Sequence, residues 1–541
     1  MAYKTGIDRS QVNFYPGSLE EGISLDNVVR VIDAFVDWLD MAKLGFIHAT
    51  DNVRGTSVYP PSMLLKLYLY GYLNRIRSSR RLETECRRNI ELYWLLHRMT
   101  PAYHTIADFR KNNAVAIKET FKSFTQFCIT ASLIEGETVA FDGTKIRAQN
   151  NVKNNFNAAR LEKLLERIDL KTKEYEQYLH NLDEQDKEEG QRPSLIPAVG
   201  RTKEEIGRAL AILKEREAKY KGFQSQLEQI EAEGGSTEQL QISTTDPDAR
   251  SLPFKQRHTE IGYNIQTAVD AKHKLIVHFE VTNVGDNNAL AVLTADTKTA
   301  LNLGEQDRLN ALADTGYHTG HQLAKCAENG IITFVSPPEI KVTKTSEQPL
   351  TFAKDQFIYD SQTDSYTCPN KQKLTTTGTL YEHVSTQKRS APRKYKQYTL
   401  PSKVCQECPF AAKCQGSRKK YWHGKTIERN EYEDAVEANR KRVEQNKGVY
   451  QQRKEIIEHP FGTIKRSWGY YYTLLKTKKK IAAEFALIFL CYNLRRVISI
   501  FGVNELREIL GFYFLIFSEA LKAVVTLFYQ KNMKNINFII R

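Results

Sequence analysis

The sequence contains little sulfur and little tryptophan: its 541 residues include eight cysteines, five methionines and four tryptophans. Eight cysteines in so long a chain exclude a small disulfide scaffold of the secreted type. Met1 to Asp8 contain no apolar core of a signal peptide. The most apolar segment, Phe512 to Tyr529, is interrupted by Glu519 and Lys522, which predicts a helix rather than a membrane span. These absences predict a protein of the reducing cytoplasm.

The charge of the chain is strongly positive. Lys and Arg number 78 against 64 Asp and Glu, which gives a net charge of +14 and a pI near 9.1. Such an excess favours an anionic polymer or surface as partner, without choosing between nucleic acid and membrane. The length allows several domains, and a hydrophobic fraction of 41% is enough to bury a core.

Three acidic residues stand in similar local settings far apart in the chain. Asp142 follows a short apolar run that predicts a buried strand ending at this carboxylate, with a turn at Gly143. Asp314 also follows a short apolar run, and Glu458 follows two isoleucines. Carboxylates on separate elements suit Mg²⁺ or Mn²⁺, which bind through few carboxylates plus a substrate phosphate. The alternative is that each Asp is an ordinary turn residue.

The residues around these acids resemble, in the same order, the catalytic blocks of bacterial insertion-sequence transposases with an RNase H-like DDE core. The blocks are Phe141 to Thr144, Ala313 to Tyr317 and Glu458 to Lys465. Further segments also look like blocks of that family, over roughly residues 15 to 500: Ser78 to Glu83, Pro101 to Arg110, Pro247 to Arg250 and Gly262 to Asp270.

Within that family the chain is similar to the branch with a Tyr-x2-Arg-x3-Glu-x6-Lys signature, the eleven-eighty-two type. Glu458 and Lys465 fit the last interval of this signature. Arg453, however, precedes Glu458 by five residues rather than four, so the roles of Tyr450 and Arg453 stay open.

The resemblance implies an α/β fold: an RNase H-like mixed sheet flanked by helices, formed by residues 131–335 and 421–500. We expect an N-terminal all-α DNA-binding domain over 1–130, which would recognise the terminal repeats of the element. Two insertions are expected, a helical hairpin over 150–245 and a small Cys-rich module over 336–420. No role is assigned to the C-terminal tail, residues 501–541.

The N-terminal region contains an arginine-rich segment. Arginines here could contact phosphates and base edges, or they could form a solvated helix face paired with Glu83 and Glu85. The resemblance favours DNA. We therefore predict a DNA-binding set in this segment and just after Glu458: Arg75, Arg77, Arg80, Arg81, Arg87, Arg88, Lys465 and Arg466.

The Cys-rich module suggests a metal of its own. Cys368, Cys405, Cys408 and Cys414 include one C-x2-C pair, which favours a closed structural Zn²⁺ site over free reduced cysteines. Between residues 371 and 425, thirteen Lys or Arg stand against two Glu. Interleaved aromatic residues could stack on exposed bases there, which favours DNA contact over a merely solvated surface.

Together these features predict a metal-dependent DNA transposase of the bacterial cytoplasm, associated with the nucleoid and not with a membrane. Asp142, Asp314 and Glu458 would hold Mg²⁺ or Mn²⁺, which would activate the water that cleaves the element end. The resemblance implies that the freed 3'-hydroxyl then attacks target DNA. Double-stranded DNA and a second copy of the chain, forming a homodimer, are the expected partners. The alternatives are a nuclease that does not join DNA and a DNA-binding relative without catalysis.

Overall fold

The computed structural model describes residues 18–50, 58–188, 202–233, 240–254, 258–338, 352, 354–383, 393–411, 414 and 424–539. Within these ranges the chain has a mixed α/β architecture. One six-stranded sheet lies at its centre and helices cover it. A separate five-stranded sheet belongs to the module that also contains Cys368, Cys405, Cys408 and Cys414. The predicted tail begins inside a long helix, and the Phe512 to Tyr529 segment is helical, as its composition predicts.

The N-terminal region is helical. Its apolar residues recur with helical spacing, and Pro61 opens the second helix at a position where the missing N–H costs nothing. The helices are α1 (Val29–Trp38), α2 (Pro61–Leu73), α3 (Ser79–Cys86), α4 (Ile90–Leu95), α5 (Tyr103–Asn112) and α6 (Ala114–Thr130). Their buried residues belong to the same hydrophobic core as the central sheet.

The central sheet is built around its first strand. The strands up to residue 335 are β1 (Thr138–Arg147), β2 (Asn155–Phe156), β3 (Ile242–Ser243), β4 (Arg250–Pro253), β5 (Thr259–Asp270), β6 (Ile276–Thr282), β7 (Leu309–Ala313) and β8 (Ile331–Val335). Strand β1 pairs antiparallel with β5 and parallel with β7. Strand β5 also pairs antiparallel with β4 and β6, while β7 pairs parallel with β8. This order places β1 in the middle of the sheet.

One prediction about β1 was wrong. The strand does not end at Asp142 but continues to Arg147, and Gly143 is part of the strand rather than of a turn. The pairing with β5 explains the difference, because Gly143 lies opposite Gln266 and the register continues unbroken to Arg147. Asp142 therefore projects from the interior of a rigid strand.

Buried asparagines cap two of the outer strands of the sheet, β6 and β8. The Asn493 side chain donates to the Ile276 carbonyl (2.7 Å) and accepts from its N–H (2.9 Å) on β6. Asn439 makes the same pair of bonds with Val335 on β8, at 2.7 and 2.9 Å. These bonds satisfy backbone groups that an edge strand would leave open. Asn439 lies on helix α12 (Glu433–Gln445) and Asn493 on helix α14 (Lys478–Ile539).

The remaining helices complete the chain. They are α7 (Ala158–Glu188), α8 (Lys203–Ala232), α9 (Leu290–Ala300), α10 (Gly320–Glu328), α11 (Ser402–Gln406), α12, α13 (Lys447–Phe461) and α14, with a π-helical turn at Gly462–Ser467. Helix α14 is kinked at Gly502, where φ is +78°. Its segment Lys478–Gly511 could cross a membrane by length and composition alone, but more than half of the tested window is buried in the core.

The stretch predicted as a helical hairpin contains the antiparallel pair α7 and α8. At one end β2 pairs with β3, and at the other Lys203 forms an ion pair with Asp183 at 2.8 Å. A capping box at Thr202 and Glu205 starts α8. Only a small apolar cluster holds the base of the pair together, so the helices form an arm rather than part of the main core.

The five-stranded sheet is β9 (Ile358–Asp360), β10 (Ser365–Thr367), β11 (Lys373–His383), β12 (Arg393–Thr399) and β13 (Thr426–Asn430), paired antiparallel in sequential order. It has its own core, in which Tyr366, Tyr398 and Leu374 are buried. Such a small core favours an additional cross-link within the module.

Candidate catalytic site

The strand register brings two of the predicted carboxylates together. Ala140 on β1 lies beside Leu312 on parallel β7. Two residues further along each strand are Asp142 and Asp314, and a step of two returns to the same face of a sheet. Asp314 begins the turn after β7, where its side chain accepts a hydrogen bond from the Gly316 N–H at 2.9 Å. Asp142 is held by a cross-strand bond from Thr267 to its carbonyl, at 3.1 Å.

The electrostatics of Asp142 show that the two acids interact. Burial, followed by repulsion from Asp314, raises the pKa of Asp142 to about 6, against the attraction of Arg453. The Asp142 side chain is 26% exposed, so it remains reachable from solvent. A bound cation would offset the repulsion between the two carboxylates and favour the ionised form of Asp142.

The structure does not bring Glu458 to these acids. Glu458 is exposed on α13, while Arg453 on the same helix points its guanidinium at Asp142, with 3.9 Å between Nη1 and Oδ2. The five-residue spacing explains this, because it separates the two side chains by about 140° around a helix. Within the ranges that the structure describes, no three His, Cys, Asp or Glu side chains are spaced to hold one metal ion.

Lys465 does lie beside β1, the strand that carries Asp142. Its ammonium donates to the Lys145 carbonyl on β1 at 3.0 Å, three residues from Asp142. Lys465 belongs to the π-helical turn, a type of turn that often occurs at functional sites. Arg75 donates to the Ser467 hydroxyl in the same turn at 3.3 Å, and Arg466 is exposed. Arg75 therefore connects the N-terminal arginine segment to the Lys465 turn.

Arg77 of the predicted DNA-binding set lies in the interior and not on the surface. It is buried, donates to the Tyr472 carbonyl at 2.9 Å and lies 3.4 Å from Glu484, which is fully buried. Its guanidinium also stacks on Tyr470 and Tyr472. Arg77 therefore stabilises the packing of the N-terminal helices against the core, through its contacts with Tyr470, Tyr472 and Glu484.

The other arginines of this segment are exposed. Arg80 lies over the Tyr103 ring with 4.2 Å to its centroid. Arg87 forms an ion pair with Glu83 at 2.7 Å, and Arg88 pairs with Glu85. Arg87 and Arg88 are therefore paired with glutamates, as expected for a solvated helix face. Arg75, Arg80 and Arg81 are the stronger candidates for phosphate contacts.

The four module cysteines line one small cavity, of about 30 Å³, beside Lys425 and Phe357. The Lys425 N–H donates to Cys405 Sγ at 3.3 Å, and the Gln372 N–H donates to Cys368 Sγ at 3.4 Å. The neighbouring thiols, after burial, help to raise the pKa of Cys414. The sulfurs converge, but in the described part of the chain no three of them reach metal-ligand spacing.

Sequence reasoning missed a hydrogen-bonded group next to the backbone that carries the two acids: Asp286, Asn264, Gln266 and Tyr317. Asn264 and Gln266 lie in the Gly262 to Asp270 block, and their alternation on β5 was the signal that could have placed them on one face. Asp286 lies in the connection from β6 to α9, and no local pattern distinguishes it.

Two family models match the chain. A transposase domain of the DUF772 type matches residues 17–112, and a transposase DDE domain matches residues 367–498. The first covers the helical region with the exposed arginines, and the second includes Lys465, Arg453 and the cysteine module. The chain is a DNA transposase. The prediction of this activity, cleavage and strand transfer of DNA, is confirmed, and a DDE-type assignment is supported.

No curated protein matches the transposase chain. Among solved structures, it is similar to a synaptic complex of piggyBac transposase with hairpin DNA. That likeness has 8% identity and a TM-score of 0.27, and covers 91% of this chain and 78% of the other. A TM-score at this level supports no argument about fold or site.

Proposed function

We propose that this transposase cleaves and joins DNA at the site formed by Asp142 and Asp314. The observation that supports the proposal most directly is the register of β1 and β7, in which Ala140 pairs with Leu312, two residues before Asp142 and Asp314 respectively. The sheet order β6-β5-β1-β7-β8, antiparallel on one side of β1 and parallel on the other, is the arrangement expected of an RNase H-like core. Glu458 remains a predicted third ligand.

The residues present fit a divalent cation. Proteins that bind Mg²⁺ together with a substrate phosphate supply one or two carboxylates, and this site has two. Burial and the charge of Asp314 raise the pKa of Asp142, which a bound cation would offset. Bound there, Mg²⁺ or Mn²⁺ would supply the activation of water and the charge neutralisation that phosphodiester cleavage needs. Asp142 and Asp314 would hold the ion, and Arg453 would balance the charge of Asp142 in its absence.

The DNA would approach along a basic surface that runs from the N-terminal helices to the Lys465 turn. Arg75 and Ser467 join the two parts of that surface, and Lys465 lies beside β1. Phosphates bound by Lys465 and Arg466 would thereby be held close to Asp142. Bringing two element ends and target DNA together requires two such surfaces, and we propose a homodimer on the bacterial nucleoid.

A strand-transfer assay tests this proposal. Labelled DNA with the element's own ends and a target plasmid would be incubated with wild type, Asp142→Ala, Asp314→Ala and the control Asp169→Ala. Asp169 is exposed on α7 and forms an ion pair with Lys173. We expect joined product from wild type and the control in Mg²⁺, and none in EDTA or from the other two variants. Cleavage without joining would instead support a nuclease, and binding without cleavage a DNA-binding relative.

We also propose that the four module cysteines bind a structural Zn²⁺. The four cysteines line one cavity, and backbone N–H groups donate to two of the sulfurs, as is expected for thiolate ligands. A small movement of the sulfurs toward one another would then complete the metal site. Metal analysis of protein purified without chelator should find one zinc per chain in wild type and in the control Cys326→Ala, and none in Cys405→Ser. Wild-type protein that stays free of zinc under zinc supply would mean that the cysteines are free.

A further inference from the structure

Asp286 lies against the backbone next to the two proposed catalytic carboxylates, and its charge acts on Asp142. A Cβ built on Gly143, the residue after Asp142, would lie 2.3 Å from Asp286 Oδ1. A Cβ on Gly316, two residues after Asp314, would lie 3.7 Å from Asp286 Cβ. The two glycines thus allow the Asp286 side chain to pack between the backbones that carry Asp142 and Asp314.

The Asp286 carboxylate fixes two amides on β5. Its Oδ1 accepts from Asn264 Nδ2 at 2.7 Å and from Gln266 Nε2 at 2.6 Å. A carboxylate oxygen accepts hydrogen bonds, so both amides turn their N–H groups toward it. Asn264 and Gln266 are almost completely buried, so no water competes for these groups.

The orientation of Gln266 determines what its other end can do. With Nε2 directed at Asp286, Oε1 accepts the hydroxyl of Tyr317. Tyr317 is fully buried and ends the short 3-10 turn, Thr315–Tyr317, that begins just after Asp314. A chain of hydrogen bonds therefore runs from Asp286 through Gln266 and Tyr317 to the turn that carries a catalytic aspartate.

We propose that Asp286 is a positioning residue for the transposition reaction, which sets the place of Asp314 through Gln266 and Tyr317. This inference rests on the proposed catalytic role of Asp314. Mg²⁺ requires near-ideal geometry of its ligands, so a small displacement of this turn weakens the site. Without the carboxylate, the Gln266 amide has no fixed orientation and the bond to Tyr317 is no longer enforced.

The test is a double-mutant cycle on joining rate against Mg²⁺ concentration. The variants are Asp286→Ala, Asp286→Asn, Tyr317→Phe and the double variant Asp286→Ala with Tyr317→Phe. Loss of a partner behind a metal ligand typically lowers metal affinity or activity by about 10- to 100-fold. We expect each of Asp286→Ala and Tyr317→Phe to require more Mg²⁺ for half-maximal rate, and the double variant to be no worse than either. Excess Mg²⁺ should restore much of the rate, which it would not do for a misfolded protein.

Three results separate the explanations. Fold-changes that multiply in the double variant would overturn the inference, because the two residues would then act independently. Asp286→Asn should retain more activity than Asp286→Ala; if it is instead as inactive as Asp142→Asn at every Mg²⁺ concentration, Asp286 is a ligand and not a positioning residue. If wild type itself does not join DNA in Mg²⁺, the proposed function fails before the variants are compared.

Discussion

Replacing Asp142 by Asn should stabilise the metal-free protein at neutral pH. Burial and repulsion from Asp314 raise the pKa of Asp142 from 3.8 to about 6, so the folded protein holds this proton more tightly than the unfolded chain does. Ionising Asp142 above pH 6 therefore costs the folded state free energy, and an amide carries no such charge. Two pH units correspond to about 3 kcal/mol, an upper value because Arg453 loses a partner at 3.9 Å.

The pH dependence gives this prediction its sign. The free-energy cost of ionising Asp142 in the folded protein is absent below pH 4, near the pKa of the unfolded chain. It increases between pH 4 and 6 and is complete above about pH 6. Asp142→Asn should accordingly gain about 3 kcal/mol at pH 7.5 and only about 1 kcal/mol at pH 4.5. For a catalytic core of a few hundred residues, the larger value corresponds to a rise in Tm of several degrees.

Thermal unfolding in EDTA at both pH values measures this effect, with exposed Asp169→Asn as the control that should not change. Added Mg²⁺ should raise the Tm of wild type and leave that of Asp142→Asn unchanged. A Tm of Asp142→Asn at pH 7.5 equal to or below that of wild type would refute the argument that the two carboxylates repel each other in the absence of metal.

Three further predictions concern the basic residues. Arg77→Met should lower the Tm, because it leaves Glu484 buried without its partner at a cost of about 3 to 5 kcal/mol, while the salt dependence of DNA binding measured by fluorescence anisotropy stays unchanged. Arg81→Ala should do the reverse: the Tm is retained and the slope of log K against log salt falls by about 1. Lys465→Ala should slow joining by about 10-fold or more in a single-turnover assay while element ends still bind, because its ammonium lies at β1; unchanged joining would exclude it from the site.

Several elements of the core follow from local sequence patterns, for physical reasons. Alternating apolar residues and a four-residue turn determine the hairpin of β5 and β6, and short apolar runs between helices determine β7 and β8. Asp314 was located correctly at the end of its strand because a Gly follows two residues later and the local pattern ends there. These features depend on local sequence, which a single chain displays.

What could not be predicted depends on contacts between distant parts of the chain. No local pattern distinguishes Arg77 from the exposed Arg80, because the partners of Arg77, which are Tyr470, Tyr472 and Glu484, come some 400 residues later. The end of β1 depended on its pairing with β5. The orientation of α13 depends on Ile456 and Ile457, which pack into the core. As a result Arg453, and not Glu458, points toward Asp142.

Iron-mediated cleavage of the protein backbone tests the proposed site most directly. Fe²⁺ would replace Mg²⁺ in the complex with element-end DNA, and ascorbate with peroxide would generate radicals that cut the chain near the bound ion. We predict cuts in β1 around Asp142 and in the turn after β7 around Asp314, suppressed by excess Mg²⁺ and absent from Asp142→Asn. An additional cut at Glu458 would identify the third ligand. Cuts confined to regions away from β1 and β7 would contradict the proposal that Asp142 and Asp314 hold the metal.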